Sequence, residues 1–379
     1  MKFGEHLERV TATSGQPFWL VSGHDRIREL LVDPRLSRSH PDRDHPVRLT
    51  QPGFFGGPMP HPDDDLKDHQ RMRRLLAPAF TAKRMEALRP RVGAIVDELL
   101  DGLEQAGPPA DLHRLVAFPL PALVICELFG VPRDERDDFM RWQVEATQVQ
   151  APIIARSGLQ SLWRYLGSLI ERKKSDPGDD VISLLLAGAR KDPTLTDDGI
   201  AHLLTGMLFA GHQPVVAIIE RGVLLLLEHP DQRRALTENP DLAPTAAEEA
   251  FRYPSPTENP AARPRGGLTR YAAADIDVDG VTIFEGDTVM FAVQDANQDP
   301  AHFPDPTRFD ITRQENPHLS LSHGIHFCLG APLARIEIAY LYRQLFTRFP
   351  GLRLDTHPNF LRQIRDVVPG AVEELPVAW

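Results

Sequence analysis

The chain has 379 residues, with 42 lysines and arginines against 53 aspartates and glutamates and a formal net charge of -11. This acidic balance argues against nucleic acid as the main partner, while ordinary apolar and charged fractions are typical of a folded globular protein. The opening residues, MKFGEHLERV, carry charge and no long apolar run, so no signal peptide or membrane association is expected and the predicted location is cytoplasmic.

Most of the chain before residue 254 has the spacing of helices. Apolar residues recur at three- and four-residue intervals in Met85–Gln105, Asp134–Gln150 and Leu159–Lys174. The next stretch, Thr196–Glu228, opens with a hydroxyl and two carboxylates, which suit a helix N-terminus, and is then apolar on nearly every face. A helix that is apolar all round is buried, and at about 1.5 Å per residue this one would be roughly 45 Å long.

After about Pro254 the pattern changes to glycines, prolines and short alternating runs. The runs DIDVDGVTIFEG and DTVMFAV predict short strands and hairpins. A proline-rich segment, QDPAHFPDPTRFDITR, follows, and the chain closes with a loop around Cys328 and a helix, Pro332–Phe349. No internal repeat or low-complexity linker is visible. The predicted fold class is therefore mainly α with a minor β region, in a single domain spanning residues 1–379.

The two cysteines have different sequence surroundings. Cys126 lies in the apolar run PALVICELFGVP and is predicted to be a core residue, and the absence of a CxxC pair argues against a structural zinc site. Cys328 stands just before a helix start, where backbone N–H groups favour a thiolate, and Gly324 and Gly330 permit close approach of a flat ligand. A thiolate is one of the few protein ligands for haem iron. From the residues alone, a buried structural cysteine and a nucleophilic thiol stay open as alternatives.

Four segments resemble the soluble bacterial cytochromes P-450, in that family's order. GIHFCLGAPLARIE resembles the haem-binding loop, DHQRMRRLLAPAF a helix with His and Arg four apart, EAFR the E-x-x-R pair, and ANQDPAHFPDPTRFD the proline-rich meander. The likeness covers about residues 15 to 370. It implies the P-450 fold, a triangular helical prism around a buried haem b, and the activity of a haem-thiolate monooxygenase or oxidase that uses O2.

The resemblance also implies roles for individual residues. Cys328 is the iron ligand, with Gly330 beside it in the cofactor-binding loop. The donors for the two haem propionates are His69, Arg73, Arg270 and His326, of which an arginine suits a carboxylate because its planar fork donates two hydrogen bonds.

A structural ion-pair group is also implied. In the family a meander arginine completes the Glu249–Arg252 pair, and Arg308 is its best match in this chain.

Two segments depart from the family. Where the family usually has Phe and Gly, seven and six residues before the cysteine, this chain has Leu321 and Ser322, which is expected to alter packing beside the sulfur. On the long buried helix, the family's A-G-x-(Asp/Glu)-Thr, whose acid and alcohol relay protons to dioxygen, is replaced by AGHQPV, residues 210–215. The predicted catalytic residues are Ala210, Gly211, Gln213 and Pro214.

Neither replacement can serve as the usual proton donor. Gln213 can orient a water but has no titratable proton, and Pro214 lacks an N–H, so the carbonyl of Ala210 loses its helical partner. A kink and a water held by the freed carbonyl are expected there. Three routes stay open: the substrate or a water supplies the proton, peroxide bypasses dioxygen activation, or hydrogen abstraction leads to coupling or desaturation.

The favoured function is therefore a specialised oxidase that tailors a small natural product, such as an antibiotic or another secondary metabolite. One alternative is a peroxide-driven haem-thiolate enzyme. Another, from a different class, is a haem-containing binding or recruitment protein without oxygen activation.

The substrate site and the redox partner are less well defined. An unusually long run, PSPTENPAARPRGGLT, is predicted to shape the substrate site together with His61–Lys67 and Gln150–Tyr165. Arg263 and Arg265 in that run would meet an acidic substrate group or, alternatively, lie in solvent.

The resemblance implies a ferredoxin and an NAD(P)H-dependent ferredoxin reductase as partners of a monomeric enzyme. The ferredoxin would dock on a basic surface patch. The residues of that patch would be Arg71, Arg74, Lys83, Arg84 and Arg335. Alternatively, these residues are ordinary surface charges that keep the protein soluble.

Overall fold

A computed structural model describes residues 6–12, 15–40, 65–148, 151–257, 267–362 and 371–379. Helices dominate these ranges and the strands are short, which confirms the predicted fold class. The helices are α1 (His24–Leu30), α2 (Asp65–Leu76), α3 (Ala82–Ala106), α4 (Pro119–Phe129), α5 (Arg136–Ala146), α6 (Pro152–Ser175), α7 (Val181–Ala189), α8 (Asp197–Glu228), α9 (Pro230–Glu238), α10 (Ala243–Arg252), α11 (Val293–Ala296) and α12 (Ala331–Arg348). The strands are β1 (Leu7–Thr11), β2 (Pro17–Val21), β3 (Leu36–Ser37), β4 (Ala110–Asp111), β5 (Leu268–Ala272), β6 (Ile276–Val278), β7 (Val281–Ile283), β8 (Thr288–Phe291), β9 (Arg353–Leu354) and β10 (Pro376–Ala378).

Contacts between Cα atoms divide the chain into two compact units. The first unit comprises residues 1–71, 221–328 and 363–371, and the second comprises residues 72–220, 329–362 and 372–379. The single domain expected from the sequence stays a prediction.

The first unit is built on a five-stranded sheet in the order β1-β2-β8-β5-β3. Strands β2 and β8 are parallel and the other neighbours are antiparallel. A separate hairpin, β6-β7, turns through Asp279 and Gly280, which both have positive φ, as a tight two-residue hairpin turn requires. The apolar core of this unit joins the sheet to α1 and α11 and includes Val21, Ile27, Leu30, Val289, Phe291 and Val293.

The second unit is a set of packed helices with a small three-stranded sheet, β4-β10-β9. Helix α3 packs on α12, and α5 packs on α6. The α5–α6 contact is close enough to require a glycine, because a Cβ at Gly158 would lie 2.6 Å from the backbone nitrogen of Ala146. Cys126, on α4, is fully buried, which confirms the core position predicted for it.

Helix α8 begins as the sequence predicts. The hydroxyl of Thr196 accepts a hydrogen bond from Gly199 N at 3.2 Å, and Asp197 and Asp198 occupy the first turn. The helix continues through Pro214 to Glu228 without a break. By length and composition it is the one described helix that could cross a membrane, but core helices of soluble proteins pass the same test and much of α8 is buried.

The other predicted helices agree with the structure except at two adjoining ends. Helix α5 ends at Ala146 rather than at Gln150, and α6 begins at Pro152 rather than at Leu159. Proline has no N–H to lose in the first turn of a helix, so Pro152 is a suitable start that apolar periodicity alone does not reveal.

Candidate cofactor site

Cys328 lies in a tight loop between a short 3-10 turn, Gly324–His326, and the start of α12. Cys328 N donates a hydrogen bond to Leu321 O at 2.8 Å, and Phe327 N donates one to Gly324 O at 3.0 Å. The cysteine is exposed, and the neighbouring Ile325 and Phe327 are 39 % and 38 % exposed. An accessible thiol flanked by accessible apolar side chains is a surface that a flat, largely apolar ligand would cover.

Two residues of the cysteine loop, Gly324 and Ser322, have left-handed backbone conformations. Gly324 has a φ of 64°, and an added Cβ there would clash with the side chain of Val32. Ser322 has the same φ of 64°, at the position where the family usually has Gly. Leu321, which replaces the usual Phe, is buried. The loop therefore keeps the conformation for which glycine is suited while carrying a serine.

Three of the residues predicted to bind the propionates belong to the first unit. His69 on α2 is buried, and its ring centroid lies 4.3 Å from that of His326, at an interplanar angle of 45°. Arg270 on β5 is also buried, and its Nη1 donates a hydrogen bond to Thr269 O at 2.8 Å. Arg73 lies one helical turn beyond His69 on α2 and is partly exposed.

This set of groups fits the chemistry of haem b. An exposed cysteine provides a soft sulfur ligand for iron, and apolar loop side chains suit the porphyrin face. Imidazole and guanidinium groups on α2, β5 and the cysteine loop can donate to carboxylates. At Gly330, an added Cβ would meet nothing within 4 Å, so the backbone there is open to a ligand.

The Glu249–Arg252 pair is completely buried on α10. Arg252 donates from Nε and Nη2 to the two oxygens of Glu249, at 2.8 and 2.7 Å. Its remaining donors bond backbone carbonyls of the proline-rich segment, Asn297 O at 3.0 Å, Pro306 O at 2.8 Å and Arg308 O at 3.0 Å. The planar guanidinium of Arg252 thus neutralises the buried Glu249 carboxylate, and its bonds to the backbone carbonyls hold the proline-rich segment against α10.

The side chain that completes the pair is Arg313, which corrects the expectation for Arg308. Arg313 Nε lies 3.5 Å from Glu249 Oε2, and its side chain is only 10 % exposed. The Arg308 residue is exposed and contributes its carbonyl alone. The adjacent Phe309 is buried, so the backbone that directs its ring inward turns the neighbouring side chain to solvent.

The start of the cysteine loop is anchored by Asn297, which the sequence reasoning missed. Its Nδ2 donates to Ser320 Oγ and its Oδ1 accepts from Leu319 N, both at 2.8 Å. Ser320 Oγ in turn donates to Phe251 O on α10 at 2.6 Å. The only sequence signal was the position of this asparagine in ANQD, just ahead of the prolines.

The segment of α8 that departs from the family presents an accessible stripe. Ala210 is exposed and Gly211 and Pro214 are half-buried, although α8 is mostly buried elsewhere. Gly206, one turn earlier on the same side, is exposed as well, and an added Cβ there would meet nothing within 4 Å. The small residues therefore form an accessible stripe on a helix that is mostly buried.

The two polar residues of this segment are buried and provide no acidic proton. His212 Nε2 lies 2.9 Å from Phe118 O, and the imidazole packs edge-on against the Phe118 ring at 4.5 Å. Burial lowers the pKa of His212 to about 4, so its ring is neutral at neutral pH. Gln213 is 5 % exposed, and its Oε1 accepts no hydrogen bond from any residue that the structure describes.

A second pair, between half-buried His113 and buried Glu220 on α8, was not predicted. His113 Nδ1 lies 2.5 Å from Glu220 Oε1, and Glu220 Oε2 accepts a hydrogen bond from Val372 N at 3.0 Å. Burial alone would lower the pKa of His113, but the hydrogen bond and charge of the Glu220 carboxylate raise it. The pair joins three segments that are distant in sequence, and no local pattern signals it.

Some predictions concern residues outside the described ranges. Arg263, Arg265 and the stretch 61–64 of the predicted substrate region lie there. Among the five basic residues of the predicted docking patch, Arg84 is paired with Asp179 at 2.7 Å.

Comparisons with a family model and with known proteins all identify similarity to cytochromes P-450. Residues 262–363 match the family described as Cytochrome P-450. The chain is 38 % identical to mycinamicin IV hydroxylase/epoxidase of Micromonospora griseorubida, over 99 % of this chain and 93 % of that protein. It is 37 % identical to pentalenolactone synthase of Streptomyces exfoliatus, over 97 % of this chain and 92 % of that protein.

A solved structure is similar over the same length. The chain superimposes on substrate-free PimD, a polyene macrolide antibiotic pimaricin epoxidase, with a TM-score of 0.86 and 36 % sequence identity. The match covers 99 % of this chain and 93 % of that one.

Proposed function

The chain belongs to the cytochrome P-450 family and is a haem-thiolate monooxygenase with haem b as its cofactor, and from this premise we propose that it oxidises a small natural product in a tailoring step. The main support is the accessible Cys328 thiol, held at the start of α12 by a hydrogen-bonded loop. When bound, the haem supplies the activation of dioxygen for oxidation of the substrate.

The protein's own residues would hold the cofactor in a fixed orientation. Cys328 would bind the iron and Gly330 would let the backbone approach the porphyrin. The Glu249–Arg252 pair and Asn297 keep the cysteine loop and the proline-rich segment in place, so that the sulfur position is set by buried contacts rather than by the loop alone. Binding of the propionates would fall to His69, Arg73, Arg270 and His326.

Proton delivery is where this chain would differ from the family pattern. Within residues 210–215, His212 is neutral and bonded to Phe118 O, and Gln213 has no proton to release. Pro214 leaves the carbonyl of Ala210 without its helical N–H, and residue Ala210 lies on the accessible stripe of α8. We therefore propose that a water, held by the Ala210 carbonyl and oriented by Gln213, or a hydroxyl or amide of the substrate delivers the proton.

The proposed substrate class follows from the relatives. The names of the similar proteins describe a hydroxylase/epoxidase acting on mycinamicin IV, a pentalenolactone synthase and an epoxidase of a polyene macrolide antibiotic. We propose a secondary metabolite of comparable kind for this chain. The product would be a hydroxylated or epoxidised compound, or one formed by coupling or desaturation.

We further propose that a ferredoxin and an NAD(P)H-dependent ferredoxin reductase supply electrons, and that the enzyme acts as a cytoplasmic monomer. An acidic ferredoxin would associate with the basic patch weakly and with salt-sensitive rates.

The first test concerns iron ligation. The reduced protein exposed to carbon monoxide should show the far red-shifted absorption of a thiolate-ligated haem. Cys328→Ser should lose that absorption, whereas Cys126→Ala, which removes the other thiol, should keep it. A Cys328→Ser protein with an unchanged spectrum would exclude the assignment.

The second test separates the reaction types. Candidate natural products that shift the haem absorption band would be incubated with ferredoxin, reductase and NADPH, with peroxide, or with neither. Product in the first incubation alone supports the proposal. Product with peroxide alone favours a peroxide-driven enzyme, and ligand binding with no product in any incubation favours a binding or recruitment protein.

A further inference from the structure

A cluster of two histidines and an aspartate lies in the first unit. His24 and Asp25 open α1, and His302 belongs to the proline-rich segment. His302 Nε2 is 3.0 Å from Asp25 Oδ1, and His24 Nδ1 is 3.8 Å from the same oxygen. One possible ligand atom from each of the three residues lies within 4.8 Å of the other two.

His24 has an orientation suited to a metal ligand. It is fully buried, and its Nε2 lies 2.8 Å from Pro317 O, which can only accept a hydrogen bond. Nε2 therefore carries the proton and Nδ1 carries a lone pair. Nδ1 has no hydrogen-bond partner among the residues that the structure describes. A metal-binding histidine usually donates its other ring N–H to a carbonyl or carboxylate in this way.

The backbone holds the two histidines in place before any ion arrives. His24 N donates to Asp299 Oδ2 at 3.4 Å, and His302 N donates to Asp299 O at 3.0 Å.

We propose that His24 Nδ1, Asp25 Oδ1 and His302 Nε2 bind one divalent transition-metal ion, with Zn²⁺ preferred. Two imidazoles and a carboxylate are a known ligand set for zinc, with a water as the fourth ligand. Bonds of about 2.0–2.1 Å in a tetrahedron place ligand atoms about 3.3 Å apart, and the two separations from Asp25 Oδ1, 3.0 Å to His302 Nε2 and 3.8 Å to His24 Nδ1, lie on either side of that value.

Binding requires one local adjustment. The rings of His24 and His302 stack at 3.9 Å with an interplanar angle of 28°, so their in-plane lone pairs do not yet converge on one point. Because the His302 side chain is 24 % exposed and that of Asp25 is 80 % exposed, both can turn without disturbing the core. The same exposure leaves room for the water ligand. The ion would then link α1 to the proline-rich segment and, through Pro317, to the chain that leads into the cysteine loop.

The experiment uses the haem-bound protein without a histidine tag, after treatment with a chelator and dialysis. Isothermal titration with a zinc salt, together with elemental analysis after gel filtration, should find one zinc per chain in addition to the haem iron. Asp25→Asn and His302→Asn, which change exposed or partly exposed side chains, should each weaken zinc binding at least about tenfold. Exposed His202→Asn on α8 is the matched control and should leave the affinity unchanged.

A second readout does not depend on catalysis or on the proposed function. A given zinc concentration should raise the thermal unfolding midpoint of the wild-type protein and of His202→Asn more than that of Asp25→Asn or His302→Asn. The reduced carbon monoxide spectrum should be the same in all four proteins. Less than a tenth of a zinc per chain in the wild type, or equal affinity in all four proteins, would overturn the proposal even if the monooxygenase activity is confirmed.

Discussion

Ser322 has a left-handed backbone conformation, and no described hydrogen bond of its side chain compensates for the cost of that conformation. Its φ of 64° costs an L-residue roughly 1 kcal/mol, a cost that glycine does not have. Its hydroxyl is buried and has no hydrogen-bond partner in the described part of the chain. The conformation is fixed by the neighbouring bonds, Ser322 N to Leu319 O and Cys328 N to Leu321 O. The loop geometry is thus maintained at a local energetic cost.

Replacing Ser322 with glycine should raise the free energy of unfolding of the haem-bound protein by about 0.5–1 kcal/mol. The gain comes from removal of the unfavourable φ and of an unsatisfied hydroxyl. Denaturant unfolding would measure it. Ser322→Ala is the matched control, since it removes the hydroxyl but keeps the Cβ, and should gain less. A glycine variant that is less stable than the alanine variant would contradict this explanation.

A second single residue should dominate part of the pH dependence of stability. Glu337 on α12 is completely buried, and burial raises its pKa to about 8. Its pKa in the folded protein is therefore above the ordinary value, so the stabilisation from its protonated form is fully present below about pH 4.5 and is lost as the pH rises through about 8.

Glu337→Gln keeps the shape of the neutral carboxyl and has no proton to lose. Between pH 5 and 9 the stability of the wild-type protein should fall relative to that of this variant, by on the order of 1 kcal/mol per pH unit at the steepest point. Unfolding in denaturant at several pH values would measure the difference. The exposed Glu104→Gln should follow the wild type, and parallel curves for Glu337→Gln and the wild type would refute the assignment.

Among the elements, α8 has the most unusual local chemistry. Its sequence is apolar enough that the helix persists through Pro214, because burial on most faces compensates for one lost backbone hydrogen bond. The proposed chemistry would use the accessible stripe at Gly206, Ala210, Gly211 and Pro214 together with the adjoining amide of Gln213. Its polar neighbours, His212 and Gln213, are directed into buried surroundings.

Restoring the helical N–H at position 214 should impair, not improve, the native reaction. In Pro214→Ala, residue 214 can bond the Ala210 carbonyl, which would no longer hold a water. We expect several-fold less product per NADPH consumed. Pro214→Thr should behave like the alanine variant, because an added hydroxyl alone does not replace the missing acid. A several-fold gain in product per electron with Pro214→Thr would show that the lost alcohol, rather than the freed carbonyl, limits the enzyme.

For the whole molecule, the sequence predicted the main helices and the position of the cysteine loop well. Periodicity and capping located α3, α8 and α12, because each follows from residues close together in the chain. Ligand roles for His69 and Arg270 rest on resemblance alone. The Arg313 contact and the His113–Glu220 pair could not be predicted, since their partners are 64 and 107 residues apart in sequence and only tertiary packing brings them together.

Variants of the two arginines near Glu249 test whether the Arg313 contact stabilises the protein. Arg313→Ala should lower the free energy of unfolding by about 1–3 kcal/mol and accelerate haem loss, because Glu249 would lose a buried cation. The exposed Arg308→Ala keeps the carbonyl that Arg252 uses, so it should change stability by no more than about 0.5 kcal/mol. Chemical unfolding and haem transfer to an acceptor protein would rank the two variants, and the reverse order would restore Arg308 as the third member.

The pair of half-buried His113 and buried Glu220 also restricts how this sequence can evolve. Loss of His113 leaves the buried Glu220 carboxyl without its partner at a cost of about 3–5 kcal/mol, whereas loss of both to apolar residues of similar size can be nearly neutral. A descendant that loses His113 first must therefore cross an unstable intermediate. Neutral drift should keep the two positions correlated, with both polar or both apolar, in any lineage that inherits this helix.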